Sequence, residues 1–307
     1  MTTFETHADL TVLGGPVRLY RAGDTGPPVL LLHGAMLDTA NGVWHDIVPQ
    51  LAADHRVYAI DMPRHGASRP WTGMLGDAFY SRFIAELLDQ LGHEQVALVG
   101  LSMGGGVAHR FALAHPDRVR ALVAIEPGGV EARRPYQFPI WLAQRTPGFL
   151  RLCTWVLART EGYQRSSMAT HLTEGAATPG FDRIIALAMA EAQAKHQYGE
   201  KALDDWQIDW YGPLRMRYHS IPDLHRLSAP TLWVAGGRSN GAIDPAAIAA
   251  AHAATPDSRI LTIPDAGHIV SYDRPHELGT AIQDFFAEVL RTPAEPATQP
   301  AADEEPR

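Results

Sequence analysis

Two G-x-S-x-G strings occur in this 307-residue sequence, Gly100-Leu101-Ser102-Met103-Gly104 and Gly237-Arg238-Ser239-Asn240-Gly241. Such a string can present its serine as a nucleophile on a strained strand-to-helix bend, because glycines two positions before and after keep side chains out of the crossing backbone. The first copy has the surroundings for this. QVALV before it reads as a buried strand and GGVAHRFALAHP after it as a helix. Ser102 would then stand at a helix N-terminus, where main-chain N–H groups and the helix dipole favour an oxyanion. The second copy also follows a strand-like run, TLWVAGG, but its helix opens only at Asp244-Pro245, an N-cap followed by a first-turn proline. That start comes too late for Ser239 to occupy a tight elbow. A serine hydroxyl does not ionise at neutral pH, so a histidine must accept its proton. Among 15 histidines, His268 lies in IPDAGHIVSYDRP, directly after the last strand-like run, SRILTIP. It is expected at the same sheet edge as Ser102.

The elements that would position these groups are legible as a rhythm. PVLLLHG, RVYAIDMP, QVALVGLS, RVRALVAIE, TLWVAGG and SRILTIPDAGH are short apolar runs separated by longer amphipathic stretches. This pattern predicts buried parallel strands joined by helices. Segments around Leu10–Leu13 and Val17–Arg21, split by Gly14-Gly15-Pro16, predict a leading antiparallel hairpin. SRFIAELLDQLG places Phe83, Leu87, Leu88 and Leu91 on one face and stops at Gly92, and a closing helix is expected from about Pro275 to Leu290. The rhythm stops for about a hundred residues between Glu126 and Leu227, longer than an ordinary loop. The expected organisation is therefore a core of residues 1–127 and 228–290, a helical cap over 128–227, and a disordered Pro-, Ala- and acid-rich tail over 291–307. The cap carries Trp141, Trp155, Trp206 and Trp210, which are expected to line a substrate cavity.

Composition narrows the chemistry. A net charge of −8 disfavours nucleic-acid partners. The single cysteine, Cys153 among apolar neighbours, excludes an intramolecular disulfide framework. Neither a charged leader with an apolar run nor a membrane span is evident, so a cytoplasmic location is expected. HEQVA at His93 lacks the second histidine of a zinc helix, and no phosphate-loop or dinucleotide fingerprint occurs. No metal or cofactor is expected, the partner is a small-molecule substrate, and oligomeric state is left open.

LLHGAM with downstream Trp44, then DMPRHGAS, GLSMGG and GHIVSYDRP, occur in that order. Over residues 10–290 the chain thereby resembles the α/β-hydrolase family. The resemblance implies a mostly parallel eight-stranded sheet flanked by helices, with a helical cap inserted after the sixth strand. It implies that Ser102 is the nucleophile, His268 its base, and the N–H groups of Ala35 and Met103 the oxyanion hole; His33 is expected as a structural neighbour. Similar sequences carry the triad acid after the strand corresponding to TLWVAGG, where this chain has Asn240, an amide. Asp244 is nearby but reads as a helix cap. Glu126 ends RVRALVAIE, the strand after that of Ser102, and some subfamilies place their acid there. The expected triad is Ser102, His268 and Glu126, with the Asn240/Asp244 loop as the alternative source of the acid.

The expected activity is cofactor-independent hydrolysis of an apolar or aromatic carboxylic ester, lactone or similar acyl compound through an acyl-enzyme. The scaffold hosts other chemistry, so carbon–carbon bond hydrolysis, cofactor-free dioxygenation of a heterocycle, perhydrolysis and non-catalytic ligand reception stand as alternatives.

Overall fold

The computed structural model describes residues 4–239 and 242–290. Eight strands form one sheet: β1 (Thr6–Val12), β2 (Gly15–Ala22), β3 (Pro28–Leu32), β4 (Arg56–Ile60), β5 (Val96–Leu101), β6 (Val119–Ile125), β7 (Thr231–Gly236) and β8 (Ser258–Ile263). Their order is β1-β2-β4-β3-β5-β6-β7-β8, with β2 antiparallel to both neighbours and every other pair parallel. Between β3 and β4 lie α1 (Ala40–Val43) and α2 (Val48–Leu51); α3 (Asp77–Leu91) leads to β5 and α4 (Met103–Ala114) to β6. Five helices separate β6 from β7: α5 (Gln137–Arg145), α6 (Phe149–Leu157), α7 (Glu161–His171), α8 (Phe181–Gln197) and α9 (Asp205–Trp210). The chain closes with α10 (Pro245–Ala254), α11 (Val270–Asp273) and α12 (Pro275–Val289).

The unbroken apolar runs follow from burial on both faces. Leu30 and Leu32 of β3 join Phe83 of α3, Phe111 of α4 and Ile248 of α10 on one side. The alternate residues Val29 and Leu31 join Trp44, Ile282 and Phe286 on the other. Period-two alternation thus feeds two cores rather than a core and a solvent face. The long stretch between β6 and β7 contributes to both. Leu172, Phe181 and Ile184 pack with the α12 side, whereas Trp206, Trp210, Met216, Leu224 and Leu227 pack with α3 and α4. Residues 206–227, expected as part of the cap, are therefore integral to the core. The expected tail, 291–307, lies outside the described residues. Among the described residues no helix is long and apolar enough to cross a membrane.

Candidate active site

Parallel strands β3, β5, β6, β7 and β8 all end at one edge of the sheet, and the loops leaving that edge converge. Ser102 occupies the bend between β5 and α4 with φ 54° and ψ −113°, a region that costs a non-glycine residue about 1–3 kcal/mol. The surroundings impose it. Ser102 N–H donates to Ile125 O at 2.9 Å, and Ser102 O accepts from Gly106 and Gly128 N–H at 3.0 and 2.9 Å. A Cβ on Gly100 would strike the Gly104 carbonyl, and one on Gly104 would strike Leu32 O. The glycines of GLSMGGG are therefore required by close backbone approach, even though they weaken the first turn of α4.

His268 Nε2 lies 3.0 Å from Ser102 Oγ, and His268 Nδ1 lies 3.1 Å from Glu126 Oε2. Glu126 follows β6 directly, is fully buried, and holds a positive φ of 45°. Its Oε1 accepts from Gly236 N–H at 2.7 Å, and its Oε2 also accepts a short hydrogen bond from Ser239 Oγ. The second G-x-S-x-G string thus supplies a donor to the carboxylate rather than a second elbow. Gly236, Ser239 and His268 together satisfy both oxygens of this buried side chain. The His268 loop is itself anchored: Asp273 accepts from Gly267 N–H at 2.7 Å and from Thr173 N–H at 2.8 Å.

The other expected residues fall as follows. Met103 is the first residue of α4, next to Ser102, and Ala35 follows Gly34 in the loop after β3 and lines the cavity. His33 is buried, with Nδ1 2.7 Å from Gly34 O and Nε2 accepting from Met62 N–H at 2.8 Å. Both nitrogens are occupied by backbone, and burial, with His65 beside it, holds the imidazole well below its usual pKa. His33 joins two loops as a neutral ring. Asp244 caps α10 by accepting from Ala246 N–H at 2.9 Å. Asn240 lies outside the described residues.

The four tryptophans require a correction. Trp206 and Trp210 are buried in the core; the Trp206 ring packs on Gly106 and Gly128, and Trp210 Nε1 donates to Tyr218 O at 2.6 Å. Trp141 packs against the same core beneath Arg145, and Trp155 faces outward beneath Arg159. None borders the cavity of about 270 Å³ above Ser102 and His268. Its wall on the insertion side comes instead from Leu157 of α6, from Tyr163, Gln164, Ser167, Met168 and His171 of α7, and from Gln207 of α9. Aromatic content marked the insertion, but the surface rich in indoles turns into the core or away from the cavity.

Two acidic groups near the site carry no motif. Asp38 lines the cavity, and its Oδ2 and Ser102 Cβ both lie within 3.5 Å of where a Cβ on Gly34 would sit. Burial pushes its carboxyl up to about 7, against the opposing pull of His268 and His65. Asp204 precedes α9 and accepts from Met36 N–H at 2.7 Å, in the same loop as Ala35. Met36 has φ 65°, so this bond helps hold a strained turn. Asp204 is paired with the buried Lys195 at 2.8 Å, and His65 Nε2 lies 3.3 Å away, outside hydrogen-bond geometry. Burial alone would raise the Asp204 carboxyl, but Lys195 and His65 outweigh it and hold the group well below the usual range. Among the described residues no three His, Cys, Asp or Glu side chains converge as a metal-binding set.

Residues 27–275 match the family described as alpha/beta hydrolase fold. The chain belongs to the α/β-hydrolase family. The α/β-hydrolase is 41% identical over 101 residues to a pimeloyl-[acyl-carrier protein] methyl ester esterase of Aeromonas hydrophila, covering 33% of this chain and 37% of that one. It is 38% identical over 133 residues to a 2-hydroxymuconate semialdehyde hydrolase of a Pseudomonas species, covering 41% of this chain and 45% of that one. The matches thus span less than half the length of these curated relatives. Among solved structures, a thermophilic esterase from Thermogutta terrifontis superposes with a TM-score of 0.73 at 24% identity, covering 92% of this chain and 99% of that one.

Proposed function

We propose that this α/β-hydrolase is a serine hydrolase acting on a carboxylic ester, lactone or similar acyl compound through an acyl-enzyme. The observation that carries the proposal is the continuous path from Ser102 Oγ through His268 to the buried Glu126. In this mechanism Glu126 accepts from His268 Nδ1–H, which leaves Nε2 unprotonated and able to take the Ser102 proton as the oxygen attacks the carbonyl. The negative charge that develops on the carbonyl oxygen is received by the N–H groups of Ala35 and Met103, the latter at the positive end of α4. His268 returns the proton to the leaving alkoxide, and the acyl group remains on Ser102. Water, deprotonated by His268, then attacks the acyl carbon; the bond to Ser102 Oγ breaks as His268 returns the proton to that oxygen, and the acid is released.

The helices α6 and α7 act as the cap of the proposed site, with α7 supplying most of the wall on that side. Apolar groups from Leu37, Leu101, Leu157, Met168 and Ile269 make most of the cavity suitable for a hydrocarbon acyl or alcohol group. Asp38 adds a single carboxyl beside the reaction centre. The local similarity to a 2-hydroxymuconate semialdehyde hydrolase supports a second reading, carbon–carbon bond hydrolysis with the same serine and histidine. Initial rates on short and long p-nitrophenyl esters, lactones and aromatic diketones, for the wild type and Ser102→Ala, separate the two. Ester turnover that depends on Ser102 is expected; turnover confined to diketones favours the second reading, and ester turnover that survives Ser102→Ala refutes the mechanism.

A further inference from the structure

The insertion carries a surface that the proposed chemistry does not use. Phe138 and Leu142 of α5 and Phe149, Leu152 and Trp155 of α6 point outward with 42 to 57% of their surface exposed. On α6 the cause is plain: Leu150 and Thr154 face inward toward α8, so residues 149, 152 and 155, at three-residue spacing, share the opposite side. Polar side chains would satisfy an ordinary solvated face, and scattered apolar residues would need no explanation. Here they are concentrated on two consecutive helices.

Charge gives this surface its partner. Between Glu131 and Glu161 the chain has five arginines, Arg133, Arg134, Arg145, Arg151 and Arg159, with no acidic residue, in a protein of net charge −8. Arg134 is paired with Glu131. Arg145 is half-buried, with Asp209 near it, but the exposed Arg151 and Arg159 donate to main-chain carbonyls, which leaves their positive charge uncompensated by those bonds. One of them lies over an exposed indole, Arg159 at 4.8 Å from the Trp155 ring centre, whereas Arg145 and Trp141 turn toward the core. Aromatic rings interleaved with arginine on a helix face are suited to a bilayer boundary: the rings enter the headgroup region and the guanidinium groups meet phosphates. A second copy of the chain fits less well, since it would set one arginine-rich surface against another.

We propose that the outer face of α5 and α6 docks this enzyme on an anionic lipid surface. The occupant is the phosphate-bearing surface of a bilayer, bound peripherally. The inward sides of α6 and α7 present Leu157 and Tyr163 to the cavity, so docking sets one cavity wall at the lipid boundary. The proposal is independent of which acyl compound is hydrolysed.

The test is sedimentation of the full chain with vesicles of phosphatidylcholine alone or mixed equally with phosphatidylglycerol, at low and high salt. Binding to the mixed vesicles that weakens as salt rises is expected. Arg151→Gln with Arg159→Gln should weaken it roughly 30-fold, at about one factor of five per charge removed. Leu152→Glu with Trp155→Glu should abolish it while leaving the melting temperature and far-ultraviolet circular dichroism in place, because these side chains lie outside both cores. Absence of binding to mixed vesicles at low salt overturns the proposal. So does equal binding by wild type and both double variants, or concentration-dependent dimerisation in vesicle-free solution that Leu152→Glu removes.

Discussion

Replacing Glu126 with glutamine exchanges one carboxylate oxygen for an NH2 group and should disable the proposed relay. The carboxylate serves two sides at once: Oε1 receives Gly236 N–H, while Oε2 receives Ser239 O–H and His268 Nδ1. An amide has one acceptor oxygen. With that oxygen kept on Gly236, the amide NH2 faces Nδ1, which must then accept, moving the ring proton to Nε2 where it can no longer take one from Ser102. With the amide reversed, NH2 opposes Gly236 N–H and a buried donor is left without an acceptor. In either orientation the negative charge opposite the imidazolium is gone. At 3.1 Å and an effective dielectric constant near 20, that attraction amounts to about 5 kcal/mol, or roughly four orders of magnitude in rate. The assay is steady-state hydrolysis of p-nitrophenyl butyrate by the wild type and Glu126→Gln, with thermal melts to verify folding. A loss of at least a hundredfold in kcat with a modest change in KM is expected. A well-folded Glu126→Gln enzyme that loses less than tenfold would refute the role given to Glu126.

Asp204→Ala combined with Lys195→Met, so that no buried charge is stranded, should lower kcat at least tenfold with KM little changed, and weaken a phenylboronic acid inhibitor in parallel, because Met36 N–H loses the acceptor that fixes the Ala35 loop. Lys195→Met alone should destabilise the fold by about 3–5 kcal/mol in denaturant titrations by stranding Asp204, and adding Asp204→Asn should recover much of that loss. Asp38 is raised in the folded state to about 7, so between the ordinary carboxylate pKa and pH 7 the unfolded chain releases this proton first. Its contribution to stability is thus fully present at low pH and lost as pH rises toward 7; the melting temperature of Asp38→Asn relative to wild type should climb over that interval, and a constant difference would contradict the assignment. Gly104→Ala should cost about 1–3 kcal/mol or more, read as a lower melting temperature, since its Cβ has only the Leu32 and His33 carbonyls to enter.

How much of this was legible in the sequence depends on the range of the interaction. The strands were visible because each is buried on both faces and is therefore apolar throughout, as in VALVGL of β5. The adjacency of Ser102, Glu126 and His268 followed from the same signal, since each residue directly follows or closely trails a strand ending at one sheet edge. Ser239 was legible only as half of a competing motif; its use as a donor to Glu126 depends on pairing between residues 113 positions apart. The tryptophans misled because aromatic content reports burial without reporting which cavity or core is being filled. Trp206 is needed where Gly106 and Gly128 leave a hollow, a complementarity visible only in three dimensions. The α7 wall mixes polar residues with Tyr163 and Met168 and carries no motif, and the Lys195–Asp204 pair has no periodic signature. Asp38 stands two residues beyond the LLHGAM motif, but a lone aspartate there carries no pattern of its own.

The central claim is that the Ser102 oxygen carries the acyl group during turnover. Rapid acid quench of the enzyme with p-nitrophenyl butyrate, followed by peptide mass spectrometry, tests it most directly. A butyryl mass increment confined to the peptide containing Ser102, and absent from Ser102→Ala, is the expected result. A butyryl group on Ser239 or another side chain, or undiminished turnover without Ser102, would contradict it.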